Sequence, residues 1–204
     1  VQPGSMVRLD PKRVRVGKVD AHTSDDGAIQ TIFWFKDQVE PKHCIFHWIY
    51  FSRPDGTYRG RNIKMVQDRA GVFLAHQHPV PNADFVAPVR DSGFAAAAGY
   101  ARETGKYLEP DALFRPHTVG RTFMEPHQHL REEGVGKKHR VIPEVVKGKE
   151  FVLVDDSLVR GTTMRGLIER LQDKGASKIH VRIASPPVKN SCVYGIDTPT
   201  REEL

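Results

Sequence analysis

Apolar residues follow more than one rhythm along this chain, and the sharpest signal is Phe151-Val-Leu-Val-Asp155-Asp156. Four consecutive apolar residues, bounded by the turn-forming Val146-Lys-Gly-Lys149 and by two acids, predict a strand buried on both faces, as in a parallel sheet. The acids then stand at its carboxyl end. From Thr162 the period changes: Met164, Leu167, Ile168 and Leu171 fall at i, i+3, i+4 and i+7 and predict a helix, with Gly175 as its stop. Asp84–Val89 predicts a second strand, with Pro88 at the sheet margin or in a bend. The small-residue run Phe94–Ala101 predicts a helix packed closely on the sheet, and Lys178–Ile183 a further strand, ended by Pro186-Pro187. Residues 62 to 76 carry Val66, Ala70, Phe73 and Leu74 at helical spacing, predicting a helix that covers the sheet. Cys44–Phe51 is apolar almost throughout and closes in a Pro54-Asp55-Gly56 turn, which predicts a central strand. Val14–Val16 and Ala28–Phe35, separated by Ser24-Asp-Asp-Gly27, predict an N-terminal hairpin. Strands feeding helices imply an α/β fold with a mostly parallel central sheet flanked by helices, plus a small N-terminal β appendage.

Two loops in this pattern carry candidate chemistry. Between the strand ending at Asp155-Asp156 and the helix at Thr162, the backbone N–H groups of Arg160, Gly161, Thr162 and Thr163 lie at a helix start, with the hydroxyls of Ser157, Thr162 and Thr163 nearby. Such a loop is an anion cradle suited to phosphate. Asp155 and Asp156 can face one ligand because the chain leaves the sheet there, and they suit a ribose diol or a hydrated Mg²⁺. The second strand likewise feeds Asp91-Ser92-Gly93 and a helix start, a place for a second anion.

Composition narrows the partners. The chain has 204 residues, 39% of them hydrophobic, enough for one full core, and a net charge of +6 that favours an anionic partner. No compact basic block or aromatic-interleaved basic patch stands out, so a polyphosphate metabolite is expected rather than nucleic acid. Two cysteines are too few for a disulfide framework, no apolar run approaches the roughly 20 residues of a membrane span, and a cytoplasmic setting is expected. His76-x-His78 and His127-x-His129 lack the flanking ligands of a zinc site and read as loop histidines. Leu130–Pro143, basic and glycine-bearing, has the makings of a lid over a charged substrate. The opening at Val1 and the ending at Arg-Glu-Glu-Leu204 suggest that flanking sequence has been cut away.

The run from Phe151 to Thr163 resembles the 5-phosphoribosyl-1-pyrophosphate (PRPP) motif of type I phosphoribosyltransferases. More narrowly, VDDSLVRGTT, HVRIASPP and YGIDTPTREEL, in order and at family spacing, resemble the glutamine PRPP amidotransferases, which open purine synthesis. Cys44–Gly56 resembles the family block CIFEYVYFARPDS, with His47 for the glutamate and Gly56 for the serine. Leu113–Glu125 is similar to LIKNRYVGRTFIQ, retaining Val119-Gly-Arg121-Thr-Phe123 but replacing the intervening residues with Arg115, Pro116, His117 and Thr118. The family's PVPDSG loop is matched by Pro88-Val-Arg90-Asp-Ser-Gly93, with Arg90 for a proline.

The resemblance implies a type I phosphoribosyltransferase fold over 41–204, truncated at its C-terminus, with residues 1–40 a remnant of a glutaminase domain's last strands or a β linker. It implies transfer of a phosphoribosyl group from PRPP to ammonia, giving 5-phosphoribosylamine and pyrophosphate. Ammonia would come free or from a separate glutaminase subunit, because the family's N-terminal nucleophilic cysteine has no counterpart in these residues. Residues 157 to 163 would hold the 5-phosphate, and Asp155 and Asp156 the ribose hydroxyls. Asp91, Ser92 and Gly93 would hold pyrophosphate, and Ser92, Asp155 and Asp156 Mg²⁺. Lys138 would arrive with the lid, and Arg121 would add charge. Cys44 and Cys192 match two ligand positions of a [4Fe–4S] cluster, which normally needs four thiolates; no cluster is expected in this chain. A homo-oligomer is implied. Two other readings share the site: a non-catalytic PRPP-binding regulator and a base-salvage phosphoribosyltransferase.

Overall fold

A computed structural model describes residues 5–9, 29–33, 43–115, 139–159, 161–190 and 192, with only the backbone of 5–9, 29–33 and Thr162. The chain divides into two compact units, Val1–Cys44 and Ile45–Leu204. In the first, β1 (Ser5–Leu9) pairs antiparallel with β2 (Ile29–Phe33), Ser5 opposite Phe33 and Leu9 opposite Ile29. The expected β appendage is present, but the partner of β2 is Ser5–Leu9; Val14–Val16 lies outside the described residues.

The second unit is built on three parallel strands in the order β5, β8, β9: Phe85–Pro88, Glu150–Asp155 and Lys178–Ile183. All three were expected from the sequence. β8 lies between the other two, and its Phe151, Val152, Leu153 and Val154 are all fully buried. Their alternation divides the core. Phe151 and Leu153 face α4 (Thr162–Asp173) through Met164, Leu167 and Leu171. Val152 and Val154 face α2 (Phe94–Thr104) through Ala96, Ala97, Tyr100 and Ala101. The sheet is therefore covered on both sides, which is why β8 reads as a continuous apolar run. Phe85 and Phe151 stack across β5 and β8 at 4.8 Å between centroids. Pro88 ends β5, where its missing N–H costs no interior ladder bond.

The helix α1 (Ile63–Gln77) begins where expected, capped by the Asn62 side chain, which accepts from the Met65 N–H at 3.1 Å. Its buried face is Ile63, Asp68, Gly71 and Ala75, and Phe73, expected inside, is 55% exposed beneath the Arg69 guanidinium. The reason is the neighbour: α1 lies against α2. A Cβ on Gly71 would fall 1.9 Å from the Ala96 carbonyl oxygen, and one on Gly99 1.9 Å from that of Asp68, so small residues set the contact. Asp68, buried between the helices, accepts two hydrogen bonds from Arg102 at 2.9 and 2.6 Å, which hold its carboxyl below the usual range.

Cys44–Phe51 departs from expectation. Instead of a central strand, His47–Phe51 forms one π-helical turn, with Tyr50 62% and Phe51 50% exposed. Gln67 of α1 donates to the carbonyls of Trp48 and Ile49, and Tyr58 packs on His47 and Trp48, so aromatic contacts rather than strand pairing organise this run. Tyr58 is carried by a hairpin, β3 (Thr57–Tyr58) and β4 (Arg61–Asn62), joined at Arg59 and Gly60, both with positive φ. The end of the expected lid, residues 140 to 143, is likewise ordinary structure: β7 (Arg140–Val141) pairs with β6 (Leu113–Phe114), and α3 (Pro143–Val146) follows.

Gly99→Ala should destabilise the fold by about 1–3 kcal/mol, because two packed helices must separate to admit one methyl group. Denaturant unfolding followed by circular dichroism measures it; an unchanged midpoint would contradict the close approach.

Candidate active site

The carboxyl ends of β5 and β8 bring the two predicted loops together. After β5 the chain turns back: Val89 donates to the Val154 carbonyl at 2.8 Å, and Gly93 to that of Val89 at 2.8 Å. Gly93 then passes so close to β8 that a Cβ there would lie 2.2 Å from the Val154 carbonyl oxygen and 3.0 Å from the Asp155 Cα. This approach delivers Ser92, whose hydroxyl donates to Asp155 Oδ1 at 2.9 Å. The same oxygen accepts from the Asp156 N–H at 2.8 Å, and Asp156 Oδ1 accepts from the Ser157 hydroxyl at 2.9 Å. Beyond β9, Ala184 and Ser185 donate to the carbonyls of Asp155 and Asp156.

Asp156 is 7% exposed. Burial, then the charge of Asp156, pushes the Asp155 carboxyl up to about 6. Burial raises the Asp156 carboxyl too. Two adjacent acids thus sit where ionising both is costly without a neighbouring cation. Past them, Gly161 takes φ +72° at the N-cap of α4, a left-handed conformation that glycine adopts without steric cost. The first N–H groups of α4 have no intrahelical acceptor, as at every helix start.

Asp91, Ser92, Gly93, Asp155, Asp156, Ser157 and Gly161 therefore share one end of the sheet, and Thr163 is exposed in the first turn of α4. Lys138, Arg121 and Arg160 lie outside the described residues, as do the side chain of Thr162 and residues 116 to 118. Arg90 does not point its charge into the loop. Its Nε donates to the Pro110 carbonyl at 2.9 Å, Nη2 lies 3.6 Å from Asp111, and its guanidinium covers the Phe94 ring. The Arg90–Asp91 peptide is cis. Arg115, noted in the sequence only as a replacement, pairs with Asp91 at 2.6 Å. His139 Nε2 donates to the Arg90 carbonyl. Their charge was legible in the sequence, and their direction was not.

Cys44 is exposed and Cys192 partly buried. His76 sits in the last turn of α1, 3.1 Å from Glu103, and the His78 carbonyl accepts from the Tyr100 hydroxyl. Among the described residues, no cluster of three or more His, Cys, Asp or Glu is placed to hold a metal, and no helix is long and apolar enough to cross a membrane.

The phosphoribosyl transferase domain family matches residues 75–198, which include both loops. The chain belongs to that family. It is 48% identical over 162 residues to the amidophosphoribosyltransferase of Archaeoglobus fulgidus, an alignment covering 79% of this chain and 35% of that protein. To the amidophosphoribosyltransferase of Synechococcus elongatus it is 38% identical over 205 residues, covering 100% of this chain and 38% of that protein. The structure of glutamine PRPP amidotransferase from B. subtilis, complexed with ADP and GMP, superposes with a TM-score of 0.73 at 39% identity, covering 100% of this chain and 41% of that one. The resemblance drawn from the motifs and the phosphoribosyltransferase fold are both borne out. The chain spans little more than a third of the length of the curated relatives it matches.

The raised Asp155 carboxyl has a thermodynamic sign. A folded-state value of about 6 against an ordinary 3.8 gives a contribution that is most favourable below the ordinary value and is lost as pH rises through about 6. Asp155→Asn keeps an acceptor for Ser92 and removes the buried charge. It should raise the melting temperature at pH 8, by the equivalent of about 1–3 kcal/mol. The gain should shrink towards pH 4; a gain independent of pH would contradict the assignment.

Proposed function

We propose that this chain transfers the 5-phosphoribosyl group of PRPP to ammonia, giving 5-phosphoribosylamine and pyrophosphate, the opening step of purine synthesis. The observation that carries the reading is the Ser92–Asp155 hydrogen bond, which joins the two anion-binding loops at one sheet end. PRPP carries phosphates at both ends of a ribose, and the two loops answer them. The α4 start with Ser157, Arg160, Gly161, Thr162 and Thr163 receives the 5-phosphate. Asp155 and Asp156 accept from the ribose hydroxyls, and Asp91, Ser92 and Gly93 receive pyrophosphate.

As the C1–O bond breaks, positive charge grows on the sugar and negative charge on the leaving group. Arg121 and Lys138 supply cationic charge for the latter, and the buried carboxylates lie on the side of the former. No covalent nucleophile is required. Ser92, Asp155 and Asp156 would hold Mg²⁺: burial opposes ionisation of the two adjacent carboxylates, and a cation would relieve that cost. When bound, that ion neutralises phosphate charge. Ammonia is the nucleophile of this reading, and residues 1–40 are the last strands of a glutaminase domain or a β linker. A cytoplasmic homo-oligomer completes the reading.

Incubation with PRPP, Mg²⁺ and ammonium at alkaline pH should release pyrophosphate in proportion to ammonium. Joint Asp155→Asn and Asp156→Asn substitution should reduce it at least about 100-fold. Release that survives both substitutions would overturn the site.

A further inference from the structure

The loop after β5 must take an anion in the reading above, yet it carries a carboxylate of its own, Asp91, exposed at that end of the sheet. Pyrophosphate bears several negative charges, and a bare carboxylate beside it repels it. Arg90, the loop's own cation, does not offset that charge. Its guanidinium is taken by the Pro110 carbonyl, by Asp111 and by the Phe94 ring.

The groups that meet the loop come from two distant stretches of chain. Arg115 Nη1 donates to Asp91 Oδ2 at 2.6 Å. One residue earlier in the loop, the partly buried His139 donates from Nε2 to the Arg90 carbonyl. The two side chains belong to one ribbon: Leu113 of β6 lies opposite Val141 of β7 and Phe114 opposite Arg140, so 115 and 139 are the next positions outward. The inner end of that ribbon is seated in the core. Ala112 and Leu113 are fully buried, Val141 packs on the same cluster as Met164 and Leu167, and the Ile142 N–H donates to the Ala112 carbonyl at 3.4 Å. A ribbon fixed in the core therefore grips consecutive residues of the loop, one through its side chain and one through its backbone.

This grip adds little to the fold. Arg115 and Asp91 are both exposed, and an exposed ion pair contributes little stability because water solvates its separated ends almost as well. Its effect falls on the loop. The guanidinium offsets the Asp91 charge, and with the backbone held at Arg90 it limits where the adjoining Ser92 can lie.

We infer that Arg115 and His139 are positioning residues for the pyrophosphate end of the site: Arg115 neutralises and orients Asp91 so that the loop accepts an anion, and His139 fixes the backbone beside it. The inference rests on the PRPP reading and deepens it, since Asp91 then serves pyrophosphate through Arg115 rather than as a direct ligand. Both residues act through the loop and not on the substrate.

The two ends of PRPP can be probed apart, with magnesium pyrophosphate for this loop and ribose 5-phosphate for the start of α4. Calorimetry on the full chain measures both. Arg115→Ala should weaken pyrophosphate binding about tenfold, change ribose 5-phosphate binding by less than about twofold and leave the melting temperature where it was. Arg115→Lys should recover most of the loss. His139→Ala should weaken pyrophosphate about threefold or more, and His139→Gln, whose amide donates to the same carbonyl, should recover it. The deciding variant is Asp91→Asn in the Arg115→Ala background. With the carboxylate neutral nothing remains to be offset, so pyrophosphate binding should return to within about threefold of the unsubstituted chain.

Unchanged pyrophosphate binding in Arg115→Ala overturns the inference. Equal weakening of both ends, together with a lowered melting temperature, makes the ribbon a general support and overturns it too. Failure of Asp91→Asn to restore binding makes Arg115 a direct ligand, which is a different role. PRPP binding by the unsubstituted chain is measured alongside. Its presence with insensitive variants removes the positioning roles alone, and its absence removes the PRPP reading and the inference with it.

Discussion

The distance between Gly93 and the Val154 carbonyl governs this site. A backbone can come that near a strand end only where no Cβ intervenes, and the hydrogen bonds of Val89 and Gly93 hold it there. Ser92 reaches Asp155 as a consequence, and the two loops become one site. The same closeness excludes water from Asp155, so the contact that builds the site also raises its carboxyl. A lone protein would be more stable with a neutral residue at Asp155. Retaining two acids there makes sense where a cation or sugar hydroxyls share their charge, so ligand binding and stability are linked through these carboxylates.

Behind the site, the packing follows from the strand period. β8 sends alternate residues to α4 and to α2, so both helices start near the carboxyl end of the sheet, where their unsatisfied N–H groups can meet a ligand. The alanines of α2 let it lie close to the strands, and the glycines at 71 and 99 let α1 lie close to α2. α1 in turn holds the π-helical turn through Gln67. A chain of contacts, close helix packing and then the Gln67 hydrogen bonds, therefore runs from the sheet to the π-helical turn.

The strands β5, β8 and β9 and the helices α2 and α4 were legible because each is long enough to show its period and ends in a turn residue. The acids were legible because a double-sided strand must end where the charges begin. Cys44–Phe51 was not: an apolar run of that length reads equally as strand or helix, and the deciding contacts, Gln67 and Tyr58, lie 7 to 23 residues away in the chain. The face of α1 was misjudged at Phe73 because hydrophobicity ranks a large ring above a glycine, whereas a close helix pair ranks them the other way. Arg90 shows a different limit. Its charge suits pyrophosphate, yet the Pro110 carbonyl and Asp111 are nearer claimants, and no local pattern reveals a competitor some 20 residues downstream.

Those competing contacts have a common geometry. Arg115 ends the segment that follows β6 and pairs with Asp91, while His139 begins the segment that leads into β7 and bonds the carbonyl of Arg90. β6 and β7 pair, so residues 115 and 139 close a base on the loop that carries Ser92. The residues between them include Arg121 and Lys138. Arg115 and His139 are thus fastened to the side chain and the backbone of adjacent residues in the same loop. A shift at residues 90–91 must act on Ser92 and, through one hydrogen bond, on Asp155. The base of the segment and the buried acids are therefore mechanically adjacent, separated by a single turn of loop, with the Arg90 side chain held by the Pro110 carbonyl and Asp111 and its own carbonyl bonded by His139.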